Sequence, residues 1–229
     1  MIKRTLATAA FVILLSSPGV DSQGRAQYRD FQLGGDLASV SALAGIAPSE
    51  AKAIHQRPAL LQDLEWRPSR WLSGSTAVQT DPVQKIVFSF FNDQLFKVTV
   101  EYDRQRTEGM TDGDMIEAIS EPYGPPAEGA KRKPAITFGT DAEFSTLVAR
   151  WDGADYGVVL YRSSYATAFR LIVTSSRLDA LARTAEAQAL RLDAREAPQR
   201  EIDRQKQDEE SRRVLQAKAR VTNKATFKP

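Results

Sequence analysis

The sequence of 229 residues predicts an α+β protein with two tandem helix-plus-antiparallel-sheet units followed by a long C-terminal α-helix. Apolar and polar residues alternate with a period of two in residues 85–102, which is typical of strands. Two capped helical patterns that end at a glycine each precede strand patterns. From residue 177 the chain has no glycine and is rich in good helix formers. The predicted boundaries are residues 27–105, 106–176 and 177–229.

The N-terminus has the pattern of a secretory signal peptide. Lys3 and Arg4 precede an apolar run over residues 6–15, and small residues follow. The run is about half the roughly 20 residues that a membrane-spanning helix needs. Residues 1–26 are therefore predicted to be a cleaved signal peptide, and the mature protein to be periplasmic or secreted, with no transmembrane segment.

Two cleavage positions satisfy the preference for small residues. One follows Ser22 and the other follows Ala26. Ser22 lies nearer the apolar run, whereas Ala26 is the better residue at the cut. We slightly favour Ala26.

The composition excludes several classes of function. The chain has no cysteine, so thiol catalysis, iron–sulfur clusters, thiolate zinc sites and disulfides are absent, and the fold depends on its hydrophobic core. The formal charge of +2 includes Lys3 and Arg4, so the mature chain is nearly neutral. Charge therefore gives no argument for a nucleic-acid partner.

In the first unit, Asp36 is a predicted N-cap of a helix that ends at Gly45. Its apolar stripe consists of Leu37, Val40, Leu43 and Ala44. A short second helix is predicted over residues 48–56, begun by Pro48 and stopped by Pro58. Residues 60–67 alternate well enough to form a strand.

Residues 85–102 predict a hairpin whose turn is Asn92-Asp93, since both residue types tolerate left-handed backbone. The first strand is expected to place one set of side chains on one face: Ile86, Phe88 and Phe90. The second strand is expected to do the same with another set: Phe96, Val98, Val100 and Tyr102.

The second unit opens at Thr111-x-x-Asp114, which has the form of a capping box. The helix is expected to end at Gly124 and to bury one stripe: Met115, Ile116 and Ile119. Three strands are predicted to follow, at residues 145–151, 156–161 and 167–174, with a turn at Asp152-Gly153.

The C-terminal helix is predicted to dock on the body through its first part. The expected stripe is Leu178, Leu181, Ala185 and Leu192. Pro198 is expected to break or kink the helix. Beyond Pro198 apolar residues are few and no acid follows Glu210, which leaves an exposed basic tail that permits weak contact with anionic surfaces.

The run Gly109-Met110-Thr111-x-x-Asp114-Met115, closing at Gly124-x-Pro126 before strands, resembles the small outer-membrane lipoprotein of the β-barrel assembly machinery. Tandem copies of this layout are similar to secreted β-lactamase-inhibitor proteins. The helix is about one turn longer here, and the lipidated cysteine and the inhibitors' disulfides are missing. As a whole, the chain also looks like secreted bacterial proteins without an assigned function. The resemblance implies a repeated helix-plus-sheet layout and protein binding.

Catalytic patterns give little support for an enzyme. His55 is the only histidine and has no predicted partner, so we interpret it as a solvated or helix-capping residue. Asp112, Asp114 and Glu117 are interpreted as residues at a helix start, where acids are favourable. No metal motif, phosphate loop or dinucleotide fingerprint is present, so no cofactor is predicted.

The most suggestive cluster for binding is Trp66, Arg67, Arg70 and Trp71, because Trp and Arg dominate binding hot spots. The alternative, which we favour for these residues, is one buried Trp and one surface Trp stacked on an Arg. The repeated layout, the export signal and the lack of a catalytic constellation favour a non-enzymatic protein-binding module of the cell envelope with an unidentified partner. One alternative is an envelope-associated structural protein that uses its C-terminal helix, and another is a carboxylate-dependent hydrolase.

Overall fold

The computed structural model describes residues 26–68, 81–128, 146–163 and 168–226. The fold is α+β, with nine strands, two short α-helices, a 3-10 turn and one long C-terminal helix in these residues. The elements are β1 Gln27–Tyr28, β2 Phe31–Gln32, α1 Leu37–Ala44, the 3-10 turn Pro48–Glu50, β3 Lys52–His55, β4 Leu61–Trp66, β5 Val83–Phe91, β6 Gln94–Tyr102, α2 Asp112–Tyr123, β7 Thr146–Asp152, β8 Tyr156–Arg162, β9 Phe169–Ser175 and α3 Ser176–Thr226. The predicted signal peptide before Ala26 lies outside the described residues.

One seven-stranded antiparallel sheet forms the body, in the order β3-β4-β5-β6-β9-β8-β7. The strands of each half form a meander, and the last strands of the two halves, β6 and β9, pair in the middle. The two halves are thus joined through one continuous ladder. The topology is that of two similar units related by a two-fold axis through the β6–β9 pair.

The entries to α1 and α2 share the same local design. In α1, Gly34 has φ +91° and the Asp36 carboxylate accepts from Ser39 N at 2.7 Å. In α2, Gly109 has φ +81°, and Thr111 Oγ1 accepts from the backbone N–H of Asp114 at 3.2 Å. Each helix therefore starts with a left-handed glycine two residues before a side-chain cap. Gly45 and Gly124 end the two helices, as predicted.

The main core lies between the sheet and the layer formed by α1, α2 and the β1–β2 hairpin. The predicted stripes of β5 and α2 are confirmed, because Phe88 and Phe90 are fully buried and Met115 and Ile119 nearly so. Trp151 is the largest fully buried side chain, and its Nε1 donates to Ser120 Oγ of α2 at 3.3 Å.

The start of α3 packs on the opposite side of the sheet. Its buried positions follow a spacing of four, three and four residues: Leu178, Ala182, Ala185 and Ala189. The predicted stripe is wrong at Leu181, which is 45% exposed. Three of the four buried positions are alanines, whose small side chains allow the helix to approach the strands closely. The break expected at Pro198 is wrong, because α3 runs continuously through this residue. Proline lacks the N–H that would bond to the carbonyl of Ala194, but Ala194 is exposed and its carbonyl can bond to water.

The predicted helix over residues 48–56 is wrong beyond its first turn. Pro48–Glu50 forms only a 3-10 turn, and Lys52–His55 is the edge strand β3, which pairs with β4. A helix this short has little stability of its own. The unpaired edge of β4, by contrast, offers hydrogen-bond partners to the backbone of residues 52–55. His55 consequently ends a strand and does not cap a helix.

Phe96 lies on the opposite face from the predicted one. The register of β5 and β6 shifts after Ser89, so that Ser89 faces Lys97 while Phe90 faces Leu95. This extra residue turns Phe96 towards Leu61 and Leu178 beneath α3, while Val98 and Val100 stay in the main core. The prediction that Leu43 belongs to the α1 stripe is wrong. Leu43 is 60% exposed, because the buried face of α1 is centred on Val40 and Ser41 and Leu43 lies to one side of it.

A matched pair of glycine substitutions tests the helix entry. Gly109→Ala should lower the free energy of unfolding by about 1–2 kcal/mol, because no described atom lies within 4 Å of the added Cβ and the cost is the left-handed backbone. Gly113→Ala, whose Cβ would meet Thr111 Oγ1 at 3.5 Å, should raise it by about 0.5 kcal/mol, since this glycine is helical. Urea unfolding measures both, and shifts of the same sign would contradict this account.

Candidate functional site

The side of the sheet that faces away from α1 and α2 is here called the open face. A groove of about 950 Å³ lies between this face and the first turns of α3. Strand register aligns its side chains in three rows that run across the sheet. The rows differ in chemistry, and this difference defines the candidate site.

The first row carries charge. Glu101 lies directly between Lys85 of β5 and Arg170 of β9. Arg170 Nη2 donates to Glu101 Oε1 at 2.8 Å, and Lys85 Nζ lies 3.1 Å from Oε2. The side chain of Lys85 is only 23% exposed, that of Glu101 18% and that of Arg170 10%. Such half-buried groups interact more strongly than surface ion pairs because water screens them less.

The middle row is mostly apolar. It passes through Val87, Thr99, Ile172 and Val159, which are partners across four adjacent strands and are all half-buried. Tyr161 lies beside this row and packs with Val159 and Ile172. The open face thus presents an apolar strip along its centre.

The third row is polar and runs beneath α3. It contains Asp63, Ser89, Lys97 and Thr174, again as successive cross-strand partners. Lys97 Nζ lies 5.5 Å from the centre of the Phe96 ring, in a cation–π arrangement. On the helix side of the groove, Arg183 Nε donates to Asp179 at 2.8 Å. The apolar strip is therefore bordered by polar groups on both sides.

Of the predicted binding cluster, the structure describes only Trp66 and Arg67. Trp66 is half-buried and packs against the main core, on the side of α1 and α2. Arg67 follows the end of β4, is exposed and donates to Glu65 at 2.5 Å. Arg70 and Trp71 lie outside the described residues.

The acids near α2 have structural roles. Asp114 Oδ2 accepts from the backbone N–H of Thr111 at 2.7 Å, and this bond lowers the pKa of Asp114. Asp112 lies 3.2 Å from Arg162. In the described part of the chain, every carboxyl pKa that departs clearly from its usual value is lowered. The residues are Asp36, Glu65, Asp81, Asp114 and Glu201. A general acid, by contrast, needs a raised pKa. In the same residues no three His, Asp or Glu side chains are grouped to hold a metal ion.

A second polar cluster, missed by the sequence analysis, fixes the N-terminal hairpin. Arg29 donates two hydrogen bonds of 2.8 Å to Asp81, and these bonds lower the pKa of Asp81. Burial raises the pKa of Tyr28 and, more strongly, of Tyr102. Tyr123 donates to the carbonyl of Gln27 at 2.7 Å. These contacts attach the β1–β2 hairpin to α2 and to the segment just before β5.

Comparisons of the chain with protein-family models, curated proteins and solved structures find no match. Among the described helices, none combines the length and apolar content needed to cross a membrane.

The charged row gives a stability prediction. Glu101→Gln should lower the free energy of unfolding by about 1–3 kcal/mol, because two poorly hydrated cations would lose their shared carboxylate. The matched control is Asp152→Asn, which removes the exposed partner of Arg150 at 2.6 Å and should cost less than about 1 kcal/mol. Chemical unfolding of both variants measures the difference. Equal losses would show that the charged row is no stronger than a surface pair.

Proposed function

We propose that the chain is an exported, non-enzymatic protein-binding module, periplasmic or secreted, whose partner docks on the open face of the sheet. The observation that carries this proposal is the apolar strip through Val87, Thr99, Ile172 and Val159, bordered by polar rows. Protein interfaces combine a dry apolar centre with a polar rim in the same way. The layout resemblance to secreted inhibitor proteins supports the same class of function.

The charge distribution of the groove supports a protein partner over a charged small molecule. The charged row itself has one net positive charge, but the groove as a whole is balanced, and its close ion pairs include Glu101–Arg170 and Asp179–Arg183 at 2.8 Å. Five cations line the groove with five acids: Lys85, Lys97, Arg150, Arg170 and Arg183 with Asp63, Glu101, Asp152, Asp179 and Glu186. A charged ligand would have to break these pairs, whereas a broad surface can cover them at little cost. The hydrolase alternative is less favoured because two acids of the groove, Glu101 and Asp179, are held by cations at 2.8–3.1 Å. The envelope-associated structural alternative depends on α3.

The position of Ala26 bears on the export proposal. Leu33 N donates to the carbonyl of Ala26 at 2.9 Å, and the Ala26 side chain packs against the main core. A mature chain that began at Gln27 would lack both contacts at the edge of β1. We therefore infer cleavage after Ser22, which reverses the preference drawn from the sequence.

Site-specific photo-cross-linking tests the binding face. A benzophenone amino acid at Thr99 should give a discrete adduct with one envelope protein, whereas the same group at Glu117, exposed on α2 behind the sheet, should not. In the Thr99-labelled chain, Val159→Glu should reduce the adduct by about tenfold, since it places a charge in the apolar strip. Thermal unfolding of each variant checks that it is folded. Adducts of equal yield at both positions, or none at Thr99, would contradict the proposed face.

Intact-mass measurement of the exported protein tests the processing site. The expected mature chain begins at Gln23 and retains Ala26. A chain beginning at Gln27 would contradict the inference about cleavage but leave export intact. Recovery of only an unprocessed chain, in the cytoplasm and not outside it, would contradict export itself.

A further inference from the structure

The end of α3 differs in charge from the rest of the helix. Residues 211–226, here called the basic segment, contain five basic residues and no acid: Arg212, Arg213, Lys218, Arg220 and Lys224. Residues 197–210 contain five acids and three bases. A net charge of −2 is thus followed directly by one of +5 along a single helix.

The basic segment lies beyond the contacts of α3 with the body. Arg57 Nη2 lies 2.8 Å from Glu196 Oε2, and every residue from 197 to 226 is exposed. At about 1.5 Å per residue, the segment begins about 22 Å past Glu196 and ends about 45 Å past it. It can therefore meet a surface without covering the open face.

The basic segment also has a narrow apolar stripe. Val214, Ala217, Val221 and Ala225 fall within an arc of about 80°, at about 100° per residue. Val214 is 48% exposed and Val221 is 72% exposed. Lys218 lies on one side of the stripe and Lys224 on the other, where their chains can reach past the stripe to anionic headgroups. Basic helices with an exposed apolar stripe are typical of binding in the interface plane of a membrane.

We propose that the basic segment binds anionic phospholipid surfaces and thereby holds the sheet at a distance from the membrane. Two observations argue for a lipid surface and against a second copy of the chain. The segment carries no acid, so all its charges attract an anionic surface. The face that contains Ile202 continues with Gln205, Lys206 and Glu209, which gives no apolar seam for a coiled coil. Lipid binding by the basic segment is separate from partner binding on the open face. It rests on the proposed export only in one respect, because export determines which membrane the segment can reach.

The test measures co-sedimentation of the full mature chain with vesicles of phosphatidylcholine, with or without phosphatidylglycerol. Binding is expected only to vesicles with phosphatidylglycerol, and it should vanish near about 1 M salt, where the screening length is about 3 Å. Reversing Lys218, Arg220 and Lys224 to Glu should lower the partition coefficient about 100-fold. The matched control reverses Arg195, Arg200 and Arg204 to Glu on the same helix, and should change it less than about threefold because these residues lie outside the basic segment.

Several outcomes would overturn the proposal. These are equal loss in the two triple variants, equal binding to neutral vesicles, and tighter binding to duplex DNA than to phosphatidylglycerol vesicles. Salt-sensitive dimerisation without vesicle binding would assign the basic segment to a second copy instead. Circular dichroism of both variants checks that helix content is retained. None of these results depends on cross-linking at Thr99, so failure here and failure of the proposed function are distinguishable.

Discussion

The pairing of β6 with β9 is the interaction on which the rest of the structure depends. Five successive partners, from Lys97↔Thr174 to Glu101↔Arg170, join the two meanders. Without this ladder each half would present a long unpaired edge and an incompletely covered apolar face. With it, Val98, Val100, Leu171 and Val173 become almost completely buried. The junction thus supplies backbone pairing and the centre of the core together.

The junction also creates the candidate site. Each row of the open face passes through β6 and β9, so the charged row and the apolar strip exist only when the halves are joined in this register. The helices that cover the core, α1 and α2, lie on the other side of the sheet. The start of α3 covers part of the remaining face and turns it into a groove. One face is therefore used for stability, and the other stays accessible beside α3.

Local patterns predicted most elements because caps, turns and alternation are properties of neighbouring residues. The Asn92-Asp93 turn, the caps at Asp36 and Thr111 and the strands of the second half follow from such signals. Phe96 was misplaced because one extra residue reverses the alternation of a strand without a clear sequence signal. The rows of the open face could not be predicted, since the register of β6 against β9 joins residues about 70 positions apart in the chain. The alternation of β6 indicated that Glu101 lies on its polar face. The two cations that bind it, Lys85 and Arg170, could not be assigned to it, because the order of the strands was unknown.

The two-fold arrangement of the sheet means that the chain contains, within itself, the geometry of a homodimer interface. In a pair of identical subunits, each contact across such an axis occurs twice and cannot be changed once without being changed in both places. Fusion into one polypeptide removes this constraint. The two ends of the β6–β9 ladder differ in this chain, with an ion pair between Glu101 and Arg170 at one end and the uncharged Thr174 opposite Lys97 at the other. Each end of the junction can therefore acquire its own specificity while the fold is retained.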